Sequence, residues 1–197
     1  SFLSLRDETI TFRHKPFAYM LEINYCITGR IGWHMENGKE VYLGPGDLSL
    51  HTMDICANAR ITLPNDFYQG IVLWIDLKRL SANPPPPLDG SGVTGEFLRE
   101  KFCGNGACTA ITGNTYIQQI FKAFYETPES LRLWYQKIKV LELILALGCV
   151  EVGKEQHLTE YRSDQAAIIR QIHDRLTENL AQRISIELLA KQYLLNT

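Results

Sequence analysis

The chain has 197 residues, a formal net charge of −2 and 45% hydrophobic residues, which supports a real core and argues against a disordered chain. No apolar run reaches the length of a membrane span. The five cysteines (Cys26, Cys56, Cys103, Cys108 and Cys149) are scattered and odd in number, as expected of a reducing, cytoplasmic setting rather than a disulfide framework.

The N-terminus carries no signal-peptide pattern, and Ser1 in place of Met reads as a processed or engineered start. From residue 9 to 76 the chain reads as all-β, in short β-branched and aromatic runs split by turn residues. Strands are predicted at Ile10–Arg13, Tyr19–Thr28, Ile31–Glu36, Lys39–Leu43, Asp47–His51, Ala57–Leu63 and Tyr68–Asp76. Gly29, Asn37-Gly38, Gly44-Pro45-Gly46 and Pro64-Asn65 separate them. Asn37-Gly38 is a two-residue hairpin signal, because both central positions of a type I′ turn need positive φ. Many short strands with tight turns predict a sandwich or barrel.

Pro84 to Pro87 excludes a helix interior or a central strand and predicts a stiff extended connector. A short helix is expected near Glu96–Phe102, and a loop from Gly104 to Gly113. Cys103 and Cys108 have no second Cys or His pair nearby in sequence and read as structural or incidental.

From Asn114 the period changes. Ile117, Ile120, Phe121 and Phe124 mark one helix, and Glu129–Val150 a longer one. The longer helix has two adjacent apolar stripes. Trp134, Ile138, Leu141 and Leu145 alternate steps of four and three, as a coiled-coil seam does. Leu133, Val140, Ile144 and Leu147 form the other. One stripe is expected to cover the β-domain and the other a partner helix; burial of both inside one domain is the alternative. In the tail, Ser163 and Ser185 are expected N-caps of two further helices. Residues 154–197 carry six basic and six acidic side chains, so no basic stripe marks a DNA-binding surface. No Gly-x-Ser-x-Gly elbow, phosphate loop or His-Glu-x-x-His motif is present, so no enzyme activity is expected.

Three stretches in order resemble one family. Glu22-Ile-Asn-Tyr-Cys-Ile-Thr-Gly29 and Tyr42-Leu-Gly-Pro-Gly-Asp-Leu48 resemble the two signature stretches of cupin barrels, in the degenerate form found at the N-terminus of AraC-type transcriptional regulators. Leu176-x-x-Asn179-Leu180 followed by Ile184–Ala190 resembles the opening of that family's helix-turn-helix region. The resemblance implies a mainly β, then α, chain. A cupin-like antiparallel β-barrel with its proline-rich connector would occupy 1–113 and a helical dimerisation segment 114–160. An incomplete DNA-binding region would occupy 161–197, stopping before the helix that enters the major groove.

It also implies that Met20, Glu22, Asn24 and Cys26 face the barrel interior, while Tyr19, Leu21, Ile23, Tyr25 and Ile27 pack under the helices. Metal-dependent cupins place a His-x-His pair shortly before the glutamate and another His after the Pro-x-Gly turn. Here His14 is out of register and Ser49 stands at the later position, ahead of His51. At most His14, Glu22 and His51 can be assembled, so neither a metal nor another cofactor is expected. The expected ligand contacts are Arg13, Glu22, Asn24, Trp33, Tyr42 and Trp74, and the expected dimer contacts Trp134, Ile138, Leu141 and Leu145.

The function implied is a ligand-responsive bacterial transcriptional regulator, here its sensor and dimerisation part without the recognition helix. Its partners would be a small-molecule effector such as a sugar or other metabolite, a second copy of the chain, DNA in the full-length protein only, and no membrane. The alternative is a cupin-type enzyme, an isomerase or metal-dependent oxygenase, with a helical extension.

Overall fold

A computed structural model describes residues 1–6, 10–11, 13–35, 39–64, 66–106, 108–152, 161–162, 171–172, 175–177, 185 and 188. The strands are β1 (Phe2–Arg6), β2 (Ile10–Thr11), β3 (Met20–Gly29), β4 (Ile31–His34), β5 (Lys39–Leu43), β6 (Asp47–Thr52), β7 (Arg60–Thr62), β8 (Phe67–Asp76), β9 (Thr109–Thr112) and β10 (Tyr161–Arg162). The helices are α1 (Leu77–Ala82), α2 (Gly95–Cys103), α3 (Thr115–Glu126) and α4 (Glu129–Cys149).

The strands form two antiparallel five-stranded sheets. The first runs β1-β8-β3-β6-β9 and the second β10-β5-β4-β7-β2. Among the described residues the sheets do not close into the expected barrel; they face each other as two separate hydrogen-bonded sheets. Among the described residues the second sheet ends in β2 at one boundary and in β10 at the other, each two residues long and neither paired with the first sheet.

Sequence chemistry explains the layers. On β3, Leu21, Ile23 and Tyr25 project to one side and join Leu48, Leu50, Leu98, Phe121, Leu143 and Leu147 in a core between the first sheet and the helices. On the other side, Cys26 joins Ile31, Trp33, Val41, Leu43, Ile61 and Tyr68 in a second core between the sheets. β3 is covered on both faces, but it alternates: Leu21, Ile23 and Tyr25 face the helices, and Glu22 and Asn24 share the other face with Cys26. Each fully buried large aliphatic or aromatic side chain contributes about 1.5–3 kcal/mol, so this double core carries the fold. Tyr25 and Phe121 stack with ring centroids 4.1 Å apart and pin α3 on the sheet.

Turns and caps follow from residue type. Gly29 ends β3 at φ +79°, and a Cβ there would lie 2.1 Å from the Phe67 carbonyl oxygen, so the crossing to the second sheet requires glycine. In the Gly44-Pro-Gly-Asp turn, Asp47 Oδ2 accepts from the Gly44 amide at 2.7 Å and Oδ1 from Thr112 Oγ1 at 3.1 Å, tying β6 to β9. Asp76, Thr94 and Asn114 cap α1, α2 and α3 by accepting from the backbone amides of Arg79, Phe97 and Ile117. Ser185 likewise accepts from the Leu188 amide at 3.1 Å, the cap expected there.

Two further expectations change, and one strand was not anticipated. Residues 109–112 are strand β9 rather than loop, because β6 supplies a complete ladder partner. Phe2–Arg6 pairs with β8 as β1. Of the tetraproline, Pro86 and Pro87 start a 3₁₀ turn that buries Leu88, since proline's fixed φ suits a first helical turn. The Asn37-Gly38 turn, the Ser163 cap and most of the expected terminal helices lie outside the described residues. Among the described residues, no helix is long and apolar enough to cross a membrane.

Candidate functional site

Register on the first sheet lines up a polar row. Glu22 on β3 pairs with Trp74 on β8 and with His51 on β6. Directly opposed residues share a face, so all three point toward the second sheet. The next row holds Asn24 and Ser49. Glu22 is pinned by two donors: Asn24 Nδ2 to Oε1 and Trp74 Nε1 to Oε2, both at 2.9 Å. Trp74 is 51% exposed and stands at the mouth of the space between the sheets, whereas His51 is 1% exposed.

Sulfur and a second imidazole close over this row. Beyond β6 the chain turns through residues 53–58, placing Cys56 Sγ 3.2 Å from His51 Nε2. The segment before β3 crosses this turn, held by the His14 amide donating to the Ala57 carbonyl at 3.2 Å. His14 Nε2 thereby lies 3.6 Å from Cys56 Sγ, and its Nδ1 sits 2.8 Å from the Lys15 carbonyl. His51 Nε2 is 3.7 Å from Glu22 Oε1, and its Nδ1 is 3.7 Å from Cys108 Sγ. Burial lowers the His51 pKa, against the opposing pull of Glu22, and keeps the ring neutral. Burial, with the Glu22 carboxylate adding to it, pushes the Cys56 thiol up to about 12. Below it, Ser49 Oγ is buried with no hydrogen-bond partner among the described residues.

Of the six expected ligand contacts, the structure brings together Glu22, Asn24 and Trp74. Arg13 is exposed on the segment between β2 and β3. Trp33 is buried in the core between the sheets. Tyr42 lies on the outer face of the second sheet, where its hydroxyl and His34 Nδ1 donate to Glu40 at 3.1 and 2.6 Å. The converging three satisfy one another, so they present few open hydrogen-bonding positions to a sugar. Sequence reasoning missed Cys56 and Cys108 here.

A second feature is a groove of about 680 Å³ between the outer face of the first sheet and helices α3 and α4. Leu73, Phe124, Val140 and Leu141 line it, with Arg132 and Lys137 among them. Arg132 Nε is buried there without a hydrogen-bond partner among the described residues. The apolar stripes of α4 separate as they enter this region. Ile144 and Leu147 are buried against the β-domain, whereas Trp134 and Ile138 are 61% and 60% exposed. Leu141 and Leu145 pack partly against the core. Leu133, expected beside Ile144, is exposed.

Two facing antiparallel sheets, one backed by helices, define the class of fold. The chain shares that fold with unsaturated-fatty-acid-bound ToxT from Vibrio cholerae strain SCE256, at 12% identity over 99% of this chain and 68% of that one, with a TM-score of 0.53. Similarity at lower scores is found to a further ToxT crystal form from Vibrio cholerae (11% identity, 100% and 72% covered, TM-score 0.47) and to the AraC-like transcriptional activator CuxR (14%, 90% and 57%, TM-score 0.39). No protein-family model matches the chain, and neither does any curated protein.

Proposed function

We propose that the chain is the sensor and dimerisation part of a ligand-responsive transcriptional regulator and has no catalytic role. The observation that carries this is the groove beside α4. It joins an apolar wall to a buried, unpartnered Arg132 Nε, on the helix that also exposes Trp134 and Ile138. The AraC-type resemblance of the Glu22–Gly29, Tyr42–Leu48 and Leu176–Ala190 stretches supports it, and so does the fold shared with a fatty-acid-bound protein.

The effector class that suits the groove is an amphipathic carboxylic acid. Its chain would lie along Leu73, Phe124, Val140 and Leu141, and its carboxylate would accept from the Arg132 guanidinium. Binding that favours one placement of α4 shifts the population of dimers in which Trp134 and Ile138 meet a second copy. DNA contact would be made by the full-length protein, through the recognition helix of the region whose opening Leu176–Ala190 resembles.

The test fuses the chain to a DNA-binding domain that needs dimerisation and reads a reporter with a long-chain unsaturated acid or its methyl ester. The acid should change reporter output at least several-fold, the ester should not, and Arg132→Gln should remove the response. No response to the acid, or an equal response to the ester, refutes the reading.

A further inference from the structure

We propose that the turn over the first sheet holds a transition-metal ion of the zinc class, bound by Glu22, His51 and Cys56 with His14 as fourth ligand. One donor atom from each of the first three lies within 4.8 Å of the other two. The individual gaps are 3.2 Å from His51 Nε2 to Cys56 Sγ and 3.7 Å from His51 Nε2 to Glu22 Oε1, with His14 Nε2 3.6 Å from the same sulfur. A tetrahedral ion with bonds of about 2.0–2.3 Å spaces its donors roughly 3.3–3.6 Å apart, so the two gaps from His51 Nε2 lie within a few tenths of an ångström of such edges, and His14, which approaches the group from the sulfur side only, would close in as the fourth donor.

The surrounding groups orient the donors. Asn24 and Trp74 fix the Glu22 carboxylate from the side, leaving Oε1 turned to His51. The Lys15 carbonyl takes the Nδ1 proton of His14, which leaves the Nε2 lone pair facing the sulfur. Outer partners of this kind set tautomer and ring orientation in metal sites. Two imidazoles, one sulfur and one carboxylate form a mixed donor set that suits a borderline ion and suits magnesium or calcium poorly. The half-exposed Trp74 and the partly exposed His14 flank the way in.

The donors come from three places in the chain: β3, β6 with its following turn, and the segment before β3. A metal there would fasten the His14 segment to the sheet face. The site stands apart from the groove beside α4, and its test involves neither transcription nor an acyl ligand.

The test equilibrates chelator-treated chain with zinc alone, then with cobalt alone. Elemental analysis should give one zinc per chain, and cobalt should produce a tetrahedral d–d spectrum with a sulfur charge-transfer band. Cys56→Ser should abolish that band, and His51→Ala should lower zinc affinity at least 10-fold in competition with a chromophoric chelator. Cys149→Ser, at an exposed position, should change nothing. The cobalt spectrum of the unsubstituted chain stands as a readout if a variant fails to fold. Less than a tenth of an equivalent of zinc, cobalt bound without the sulfur band, or zinc retained at full affinity in folded His51→Ala overturns the proposal.

Discussion

Cys26 shows how burial governs a single residue. Its thiol is fully buried and pushed up to about 12 by desolvation, with the Asp47 carboxylate adding to the shift and Arg30 opposing it. Desolvation also raises Cys103 to about 12, and Tyr25 to about 12 from its own ordinary value. Above the ordinary thiol value of about 8.5, the unfolded chain has released protons that the folded chain still holds, so stability falls as pH rises toward about 12. The urea midpoint followed by circular dichroism should therefore drop between about pH 8 and about pH 10, and the drop should shrink in Cys26→Ala/Cys103→Ala. A flat profile contradicts this. Exposed Cys149 should be the one cysteine that reacts rapidly with a thiol reagent in the native chain, with all five reacting in denaturant. Glu22, Asn24 and Trp74 were legible in the sequence because alternation on a strand fixes a face. Their meeting with Cys56 was not, because the pairing of β3 with β6 and the path of the turn after β6 are long-range facts.

Helix α4 carries two different environments along one amphipathic element. Its C-terminal half seals the core through Leu143, Ile144 and Leu147, and its N-terminal half presents Leu131, Leu133, Trp134, Tyr135 and Ile138 to solvent. Apolar patches of that kind mark interaction surfaces. Ile138→Asp should convert a dimer to a monomer in sedimentation while changing the urea-derived stability of the monomer by no more than about 0.5 kcal/mol. Leu147→Asp should instead unfold the chain. A dimer unchanged by Ile138→Asp removes the interface from this helix. The sequence announced most strands and the three longer helices through turn residues and period. It did not announce β9, whose four residues sit beside a glycine-rich stretch and gain their conformation from β6. Nor did it announce α1, which follows β8 directly, the strand's last residue Asp76 serving as its cap.

For the whole molecule, the net charge of −2 and the balanced tail give no electrostatic hold on phosphate. Residues 1–197 should bind arbitrary duplex DNA no more tightly than about 10⁻⁵ M at physiological salt, and tight, steeply salt-dependent retardation contradicts this. The closed barrel expected from the cupin-like stretches gave way to two sheets, because closure depends on edge strands whose length the signature residues do not encode.

The two-residue strand β10 has a mechanical meaning. After α4 packs on the first sheet, the polypeptide is laced by Tyr161 and Arg162 onto β5, at the border of the opposite sheet. Tyr161 and Arg162 thus belong to the second sheet, although α4 shortly before them packs on the first. Among the described residues that ladder is two pairs long, so the chain beyond α4 is joined to the second sheet by few backbone hydrogen bonds, and loss of those two pairs alone would uncouple it from that sheet.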